Sequence, residues 1–565
     1  MKKFCDIQSR NELADFLSIP RSKLTHILYV RKPDSYYEAF EIPKKNGEMR
    51  TICAPSGDLK SLQTKLANVL YAYQRNIWEE HGTKPNISHA FEQGKSIITN
   101  AKIHRNKRFV LNLDLEDFFG SFHFGRVRGF FEKNRNFELT HDVAIILAQL
   151  VCYQGVLPQG APTSPIITNL ICQSLDISLL KLAKKYKLDY TRYADDLTFS
   201  TNDKHFLENE EAFLQEVSSE VKRAGFSINQ KKTRLQFRDS RQEVTGLIVN
   251  KKLNVNNIYV RKTRAMARQL YKKGEFTIDG APGTLSQLEG RFSFIDQLDH
   301  YNNALDPKTT RHDSFNLNGR ERQYQAFMFY KYFFANDKPV IVTEGKTDIR
   351  YLKAALMSLH TKYPQLIEKD KKGQFIYKFS FFRRSKRWKY FFDVSLDGAD
   401  AMKILYRYHV GNKRIPSYLN FFCQLSGKEP QQPTILIYDN EQKSDRPLKK
   451  FLNEELHATP EQKAKLESNY QLLLVPNSKL FLVVPPVPLG KEECEIEDLF
   501  SADLLAIDLD GKTFCRKDRF DTSKYFGKEI FSQFVYDNYR NIDFSKFIPM
   551  LDSISSIVEQ SKKED

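Results

Sequence analysis

Two adjacent aspartates between apolar runs constrain the fold of this chain more than any other feature. Residues 191–200 have the sequence TRYADDLTFS, which places Asp195 and Asp196 between segments rich in β-branched and aromatic residues. The pattern predicts two strands joined by a tight turn that carries both carboxylates. In one regular strand adjacent side chains diverge, whereas on a turn both can approach one point. Two carboxylates held together repel each other, and Mg²⁺ ions, which favour oxygen ligands, remove that repulsion.

A third acidic residue ends another predicted buried strand. Residues 109–119 have the sequence FVLNLDLEDFF, in which Asp114 follows five mostly apolar positions. We expect Asp114 to lie beside the aspartate hairpin in one sheet. Three carboxylates from neighbouring strands suit a pair of Mg²⁺ ions for in-line nucleotidyl transfer. An isolated Asp-Asp pair is typical of a solvated turn, but the apolar flanks indicate that the strands on both sides of this turn are buried in a core.

These residues resemble the palm of a reverse transcriptase. Tyr193, Ala194, Asp195 and Asp196 form the Tyr-Ala-Asp-Asp signature of that family, and Asp114 stands where its first catalytic aspartate stands. The resemblance implies an α+β right-hand polymerase with fingers, palm and thumb. It makes the three aspartates both catalytic residues and ligands of Mg²⁺.

Four further residues match positions that this family uses for the incoming nucleotide. Residues 40–52 predict a β-hairpin with Asn46-Gly47 at its turn, and the resemblance assigns its Arg50 to the triphosphate. A solvated hairpin that carries basic residues is an equal alternative. By the same resemblance Phe119 packs on the sugar, Gln159 of the loop LPQGAPTSP lies under nucleotide and template, and Lys232 lies near the pyrophosphate. Phe119 and Lys232 are also compatible with ordinary core and surface roles.

Two short elements narrow the resemblance to retron reverse transcriptases. One is N-A-x-x-H at Asn100 to His104, ten residues before Asp114; the other is the triplet Val244, Thr245 and Gly246. In that family both are associated with the cognate structured RNA. The implied partners are a non-coding RNA of the msr-msd type, its DNA product and dNTPs.

The charge of the chain agrees with a polyanionic partner. The formal net charge is +17, from 87 Lys and Arg against 70 Asp and Glu. Residues 251–300 are basic and predicted helical, and Arg261 and Lys262 are the residues that we assign to the backbone of bound RNA or a template–primer duplex. A solvated charged helix is the alternative. The N-terminus does not resemble a signal peptide, and no uninterrupted apolar run approaches 18 residues, so we expect a cytoplasmic protein without a membrane span.

The C-terminal half contains a second acidic pattern. Residues 338–348, KPVIVTEGKTD, predict a buried strand that ends at Glu344, and residues 434–441, TILIYDNE, predict another that ends at Asp439 and Glu441. The first string resembles the opening motif of Toprim domains, as in nucleases of the OLD family. The resemblance implies an α/β fold in which Glu344 and Asp439 are catalytic and bind Mg²⁺ together with Glu441. Glu441 departs from the Asp-x-Asp of that family, so a domain that only binds nucleic acid stays an alternative.

Basic and aromatic residues alternate at 381–390, FFRRSKRWKY. This composition suits a nucleic-acid backbone with stacked bases, or a surface strand. The acidic segment 493–499 is a further source of metal ligands in the Toprim interpretation.

The predicted organisation has four parts. Fingers and palm occupy residues 1–250, the thumb and a linker 251–320, the Toprim domain 321–500 and a C-terminal extension 501–565. The predicted function is that of a retron RNA-directed DNA polymerase that copies part of its RNA into a branched RNA–DNA molecule (msDNA), fused to a Toprim nuclease effector in anti-phage defence. The alternatives are a nucleic-acid-binding scaffold and a non-retron bacterial reverse transcriptase. The nuclease target and the oligomeric state stay open.

Overall fold

The structure is a computed structural model and describes residues 4–43, 47–82, 86–305, 314, 316–396, 398–443, 446–517 and 519–563. The chain divides into two compact units, Met1–Asn256 and Asn257–Asp565. Asn46 of the predicted hairpin turn lies outside the described residues.

The first unit combines helices with short antiparallel sheets. Its helices are α1 (Arg10–Phe16), α2 (Arg21–Thr25), α3 (Gly57–Glu80), α4 (Ile97–Ala101), α5 (Phe124–Lys133), α6 (His141–Val151), α7 (Ser164–Lys185) and α8 (Glu210–Arg223). Its strands are β1 (Tyr37–Pro43), β2 (Met49–Pro55), β3 (Phe109–Asp114), β4 (Asp189–Tyr193), β5 (Asp196–Thr201), β6 (Arg234–Phe237), β7 (Glu243–Val244) and β8 (Leu247–Ile248).

The central sheet of this unit has the order β4-β5-β3-β6, with every neighbouring pair antiparallel. Strand β3 is buried along nearly its whole length because helices cover it, which explains its almost continuous apolar sequence. One hydrophobic core joins this sheet to α3, α5, α6, α7 and α8. The predicted hairpin at residues 40–52 is confirmed as β1 and β2, which pair from Tyr37 with Pro55 to Pro43 with Met49.

Helix α7 is long and apolar enough to cross a membrane by length and composition, with a mean hydropathy of 1.4. No uninterrupted apolar run singles out this helix in the sequence, because polar residues interrupt it. The helix packs into the core of the first unit, and most of its apolar residues are buried there. A core helix of a globular unit passes the same test.

The second unit begins with a long basic helix. Its helices are α9 (Asn257–Lys273), α10 (Leu285–Ala304), α11 (Gly319–Phe329), α12 (Asp348–Ser358), α13 (Lys386–Phe392), α14 (Asp400–Val410), α15 (Tyr418–Ser426), α16 (Pro447–Lys450), α17 (Pro460–Asn469), α18 (Ala502–Leu505), α19 (Lys528–Asp537) and α20 (Ile548–Lys563). Its strands are β9 (Thr277–Ile278), β10 (Ala281–Pro282), β11 (Val340–Thr343), β12 (Ile367–Lys369), β13 (Phe375–Tyr377), β14 (Ser380–Phe381), β15 (Thr434–Ile437), β16 (Gln471–Leu473), β17 (Leu480–Val483), β18 (Asp508–Leu509), β19 (Lys512–Phe514) and β20 (Tyr525–Phe526).

The main sheet of the second unit has the order β14-β11-β15-β17-β16. The first four strands are parallel, and β16 joins the edge antiparallel to β17. Strands β11 and β15 are fully buried and adjacent, which confirms the two predicted buried strands. Because parallel strands end at the same edge of a sheet, the residues after β11 and β15 lie close together.

The segment predicted as the thumb shares its core with the rest of the second unit. Ala267, Leu270 and Tyr271 of α9 belong to the same hydrophobic cluster as Phe422 of α15 and Leu436 of β15. Helix α9 therefore folds together with residues far along the chain.

Candidate active site

The paired aspartates stand at the tip of the β4–β5 hairpin. The turn consists of Ala194 and Asp195, and Asp196 is already the first residue of β5, opposite Tyr193. Ala194 has a φ of +56°, the left-handed conformation that a two-residue turn of this kind requires. The predicted strand–turn–strand is thus confirmed, with only one of the two aspartates in the turn itself.

The third carboxylate lies beside this pair. Asp114 at the end of β3 is the register partner of Asp196 in β5. The backbone N–H of Leu115 donates to the carbonyl oxygen of Asp195 at 3.0 Å, which fixes the end of β3 against the turn. The sheet therefore brings together all three aspartates that the sequence singled out.

Burial and mutual repulsion disfavour the charged forms of these carboxyls. Burial, and then the charges of Asp195 and Asp114, raise the pKa of Asp196 to about 7. Burial is also the main cause that raises the pKa of Asp195, with a further contribution from Asp114. A divalent cation is the natural partner for such a group.

Lys232 supplies one positive charge to this cluster. It ends a short 3-10 helix, Gln230–Lys232, and its Nζ donates to both carboxylate oxygens of Asp114 at 3.0 Å. The hydrogen bond with Asp114 raises the pKa of Lys232, so the lysine is charged at neutral pH. The backbone N–H of Asn229 donates to the carbonyl oxygen of Asp114 at 2.8 Å, which ties this turn to β3.

The donor set suits Mg²⁺ by its chemistry, because it consists of hard carboxylate oxygens whose charge is otherwise poorly compensated. Within the described chain, however, no three His, Cys, Asp or Glu side chains are placed to hold one metal ion as they stand. Asp114 is instead paired with the ammonium of Lys232. Metal binding by the three aspartates therefore stays a prediction.

A buried ion pair supports the β4–β5 hairpin, and it was not predicted from the sequence. Arg192 of β4 is fully buried, and its Nε and Nη2 each donate to a carboxylate oxygen of Asp176 in α7 at 2.8 Å. Its Nη1 donates to the carbonyl oxygen of Ala194 at 3.1 Å. Burial lowers the pKa of Arg192, but the attraction of Asp176 outweighs burial and the net pKa is raised. The available sequence signal was Asp176, the single acidic residue in the largely apolar sequence of α7.

The loop with Gln159 contacts the β1–β2 hairpin. The backbone N–H of Cys53 in β2 donates to the carbonyl oxygen of Gln159 at 2.9 Å. The next residue, Gly160, has a φ of +126°, and a Cβ there would lie 2.8 Å from the carbonyl oxygen of Cys53. Only glycine permits this close approach of two backbones. The side chain of Gln159 is half-buried, and its contact with a nucleotide stays a prediction.

The other two predicted nucleotide contacts are accessible. Arg50 is exposed on β2, and its charge lies near enough to Asp195 to oppose, weakly, the effect of burial on the pKa of that carboxyl. Phe118 is buried, whereas Phe119 stays half-exposed with its ring 5.5 Å from that of Phe118. Phe119 is thus the member of the pair that is available to a ligand.

The two retron elements meet in the fold but are largely buried. Helix α4, which contains Asn100, packs against β7 and β8, the hairpin whose turn is Thr245-Gly246. Asn100, His104 and Val244 are fully buried, so in this fold their side chains are not accessible to RNA. Gly246 is exposed and Thr245 half-exposed at the turn. RNA binding by these elements stays a prediction, and burial favours an indirect role for the first three.

His104 connects the first retron element to the β4–β5 hairpin. Its ring nitrogens hydrogen-bond with Ser200 Oγ of β5 and Thr191 Oγ1 of β4, both at 2.7 Å. Burial lowers the pKa of His104 to about 3, so the ring is neutral. The histidine therefore links β4 and β5, the two strands on either side of the turn with Asp195.

A second acidic cluster lies at the carboxyl edge of the parallel sheet. Glu344 follows β11 directly and Asp439 follows β15 by one residue. The backbone N–H of Asp439 donates to the carboxylate of Glu344, which partly offsets the larger effect of burial, so the pKa of Glu344 is raised. Glu441 is buried and lies 3.5 Å from Arg446 Nε. The strand that was predicted to end at Asp439 and Glu441 is shorter, because β15 ends at Ile437, before either residue.

Three residues in addition to Glu344, Asp439 and Glu441 complete this cluster. Asp348 begins α12 and accepts from the N–H of Gly345 at 2.7 Å, and burial with the charges of Glu497 and Glu344 raises its pKa to about 7. Glu497 is fully buried, with one oxygen that has no described hydrogen-bond partner. Lys528 of α19 places Nζ 3.2 Å from the other oxygen of Glu497.

The charges of this cluster are strongly unbalanced. Burial first, and then Asp348, Glu344 and Glu497, raise the pKa of Asp439 well above its ordinary value. Hard oxygen ligands with suppressed ionisation fit a divalent cation by their chemistry. Among the described residues, no three side chains of this cluster are placed to hold one metal ion as they stand. This metal site therefore also stays a prediction.

The remaining predicted nucleic-acid residues differ in accessibility. Arg261 and Lys262 are exposed on α9, and Lys262 lies 3.9 Å from Asp279. The basic-aromatic run 381–390 contains the start of α13, where Trp388 is 2% exposed and packs against Phe382. Base stacking on Trp388 is therefore excluded in this fold.

Comparison with known proteins agrees with the geometry of the first unit. A family model for reverse transcriptase (RNA-dependent DNA polymerase) matches residues 42–251. The retron Ec86 reverse transcriptase of Escherichia coli is 33% identical over 293 residues, which cover 51% of this chain and 85% of that protein. This chain belongs to the retron reverse transcriptase family.

Two further members of the family are similar over the same share of the chain. The retron Mx162 and Mx65 reverse transcriptases of Myxococcus xanthus are 35% and 33% identical, and each match covers 52% of this chain. The matches cover 64% of the Mx162 protein and 68% of the Mx65 protein, so this chain spans a little under two thirds of the former. A telomerase structure from Candida albicans is 12% identical over 52% of this chain and 60% of that chain, with a TM-score of 0.31, a likeness too low to carry an argument.

Proposed function

We propose that this chain is a retron RNA-directed DNA polymerase that copies part of a partner non-coding RNA of the msr-msd type into a branched RNA–DNA product. The observation that carries this proposal is the register of Asp114 with Asp196, which unites the three aspartates beside the β4–β5 turn. Family membership supports the RNA template, and the net charge of +17 supports a nucleic-acid partner. We place the reaction in the cytoplasm and leave the oligomeric state open.

The reaction is the attack of a nucleic-acid hydroxyl on the α-phosphate of a dNTP, with release of pyrophosphate. For the first nucleotide the hydroxyl is a 2′-OH of the partner RNA, and for later ones it is the 3′-OH of the growing DNA. Asp114, Asp195 and Asp196 would hold Mg²⁺, which when bound lowers the pKa of the attacking hydroxyl and neutralises phosphate charge.

The chain's own residues position the nucleotide. Arg50, exposed and near Asp195, suits the triphosphate, and Lys232 offers its ammonium where negative charge develops on the leaving pyrophosphate. Phe119 presents a half-exposed ring to the sugar. The contact between Gln159 and Cys53 fixes the loop under the template to β2.

DNA synthesis on poly(rA) with an oligo(dT) primer tests the polymerase half. Asp195→Asn should abolish incorporation of dTTP in the presence of Mg²⁺ while RNA binding stays within about twofold of wild type. Asp239→Asn, an exposed carboxylate of the same unit, is the matched control and should retain activity. Full synthesis by Asp195→Asn would refute the assignment of the active site.

For the second unit we propose a Mg²⁺-dependent Toprim nuclease that serves as an effector in anti-phage defence. The specific observation in its favour is the meeting of Glu344, Asp348, Asp439 and Glu497 at the ends of adjacent parallel strands. Glu441 would complete the metal ligands. The target nucleic acid stays open, and a unit that only binds nucleic acid is the alternative.

Cleavage of labelled RNA and DNA with Mg²⁺ tests this second activity. Glu344→Gln should remove cleavage and cellular toxicity while DNA synthesis on poly(rA)/oligo(dT) stays intact. Glu529→Gln, an exposed carboxylate near the same edge, is the control. Persistent toxicity of Glu344→Gln would refute the nuclease proposal and would leave the polymerase proposal unaffected.

A further inference from the structure

A groove on the second unit lies between α9 and α15 and has a volume of about 550 Å³. The residues that carry its chemistry are Arg261, Arg264, Arg268, Tyr271, Phe421 and Leu425. We call it the α9–α15 groove. Its α15 wall lies beyond residue 251, where the match to the reverse transcriptase family model ends.

The α9 wall presents three guanidinium groups in a row. Arg261, Arg264 and Arg268 are three and four residues apart, so they share one face of the helix and span about 10 Å along its axis. All three side chains are exposed. No described residue forms a hydrogen bond or ion pair with them, in contrast to Lys262, which lies 3.9 Å from Asp279. Three exposed positive charges without a protein partner indicate an anionic ligand.

The α15 wall presents an aromatic ring. Phe421 is 47% exposed, and its ring lies edge-on to that of the fully buried Phe422, with 5.0 Å between centroids. Because Phe422 is fixed in the core, the neighbouring ring is held at the surface. Leu425 follows one helical turn later on the same face. A fixed, exposed ring beside guanidinium groups offers a flat apolar surface to a planar ligand.

The floor of the groove contains an unsatisfied polar group. Tyr271 is 5% exposed, and its hydroxyl is buried without a hydrogen-bond partner among the described residues. Its ring packs against Tyr330 and Phe422 at 4.8 and 4.9 Å between centroids. A buried hydroxyl is rarely left unpaired in a folded protein. Because its ring is packed in the core, Tyr271 gives the groove a fixed floor.

We propose that the α9–α15 groove binds an unpaired segment of a nucleic-acid strand, with phosphates on the three arginines and a base stacked on Phe421. Three positive charges along about 10 Å of helix suit the successive phosphates of a short strand segment. Stacking on an aromatic side chain combined with a basic track is the usual way in which proteins hold single strands. The identity of the natural strand, the retron RNA or its DNA product, rests on the proposed function, whereas binding itself does not.

The groove gives the second unit a direct contact with nucleic acid. The arginines belong to the segment predicted as the thumb, whereas Phe421 belongs to the segment predicted as the Toprim domain. Tyr271 and Phe422 join the two walls through one hydrophobic core. Both walls therefore keep one relative position, and a bound strand would contact the two predicted segments at once.

Fluorescence anisotropy of the full chain, freed of bound nucleic acid, tests the proposal with a labelled 12-nucleotide oligouridylate as the probe. Phe421→Ala should weaken binding on the order of 5- to 100-fold, as expected for loss of one stacked base. Arg268→Ala should reduce the salt dependence by about 0.7 in the slope of log K against log salt concentration. Phe421→Trp should restore the affinity that Phe421→Ala loses.

Matched controls separate the groove from general surface effects. Tyr525→Ala removes another exposed aromatic ring of the second unit, and Lys273→Ala removes an exposed charge from the opposite side of α9; both should bind the probe within about twofold of wild type. Wild-type affinity of Phe421→Ala would overturn the proposal. So would equal competition by a 12-base-pair duplex, or by polyglutamate, which would indicate an acidic protein partner. Synthesis on poly(rA)/oligo(dT) is measured separately, so loss of the polymerase proposal leaves the binding result intact.

Discussion

Asp196→Asn should make the first unit more stable at pH 8 while it removes polymerase activity. The pKa of Asp196 is raised from 3.8 to about 7, chiefly by burial and then by Asp195 and Asp114. The folded state therefore keeps a proton that the unfolded state releases between about pH 4 and pH 7. Stability of the wild type falls as the pH rises through this window.

The magnitude follows from the same values. A pKa difference of about 3 at about 1.4 kcal/mol for each pKa unit gives an upper limit of about 4 kcal/mol at pH 8. The asparagine has nearly the same shape and no charge to bury. The difference between Asp196→Asn and wild type should therefore be close to zero at pH 4 and about 2–4 kcal/mol at pH 8.

Urea unfolding followed by tryptophan fluorescence measures this difference. The chain has two tryptophans, Trp78 in the first unit and Trp388 in the second, so a Trp388→Phe background reports the first unit alone. At pH 8, Mg²⁺ should stabilise the wild type more than Asp196→Asn. Asp239→Asn is the control and should follow the wild type at every pH. Equal stability of Asp196→Asn and wild type at pH 8 would refute the reasoning.

Three further predictions concern the support of the site. Arg192→Met should destabilise the first unit by about 3–5 kcal/mol, because it leaves Asp176 buried without its partner, and the double variant with Asp176→Leu should recover most of the loss in urea unfolding; no recovery would contradict this. Gly160→Ala should raise the KM for dTTP, whereas Gly129→Ala, with open space at its Cβ, should not; equal values would exclude strain at the loop. Between pH 7 and pH 5 the His104 ring should cost the wild type about 2 kcal/mol of stability, because only the unfolded histidine takes up a proton there. His104→Gln should not show this loss, and an unchanged pH profile would contradict the prediction.

The sequence was sufficient to predict the strands that carry the acidic residues. Apolar runs that end in carboxylates predicted β3, the β4–β5 hairpin, β11 and β15, because burial on both faces leaves a nearly continuous apolar pattern. The position of Asp114 beside the hairpin followed from its place at a strand end, whereas its register with Asp196 comes from the structure. The exact turn could not be predicted either, since only the pairing of Asp196 with Tyr193 shows that Asp196 belongs to β5.

Contacts between distant segments could not be predicted in this way. Arg192 meets Asp176, and Lys528 meets Glu497, only after helices from other parts of the chain pack beside the sheets. Composition also did not predict which polar residues are buried. His104 lies in a motif typical of a recognition element, yet its ring is buried and hydrogen-bonds to two strands. Local pattern identifies which residue types are present, whereas tertiary packing decides which of them face a ligand.

Sequencing the nucleic acid that copurifies with the full chain tests the central proposal most directly. The wild type should retain DNA joined through a 2′-hydroxyl to an RNA, and treatment with ribonuclease should leave the DNA with a short RNA remnant at the branch. Asp195→Asn should retain the same RNA without DNA. Identical RNA–DNA molecules from both proteins, or no DNA from the wild type in cells that carry the cognate RNA, would contradict the assignment of Asp114, Asp195 and Asp196 as the site of DNA synthesis.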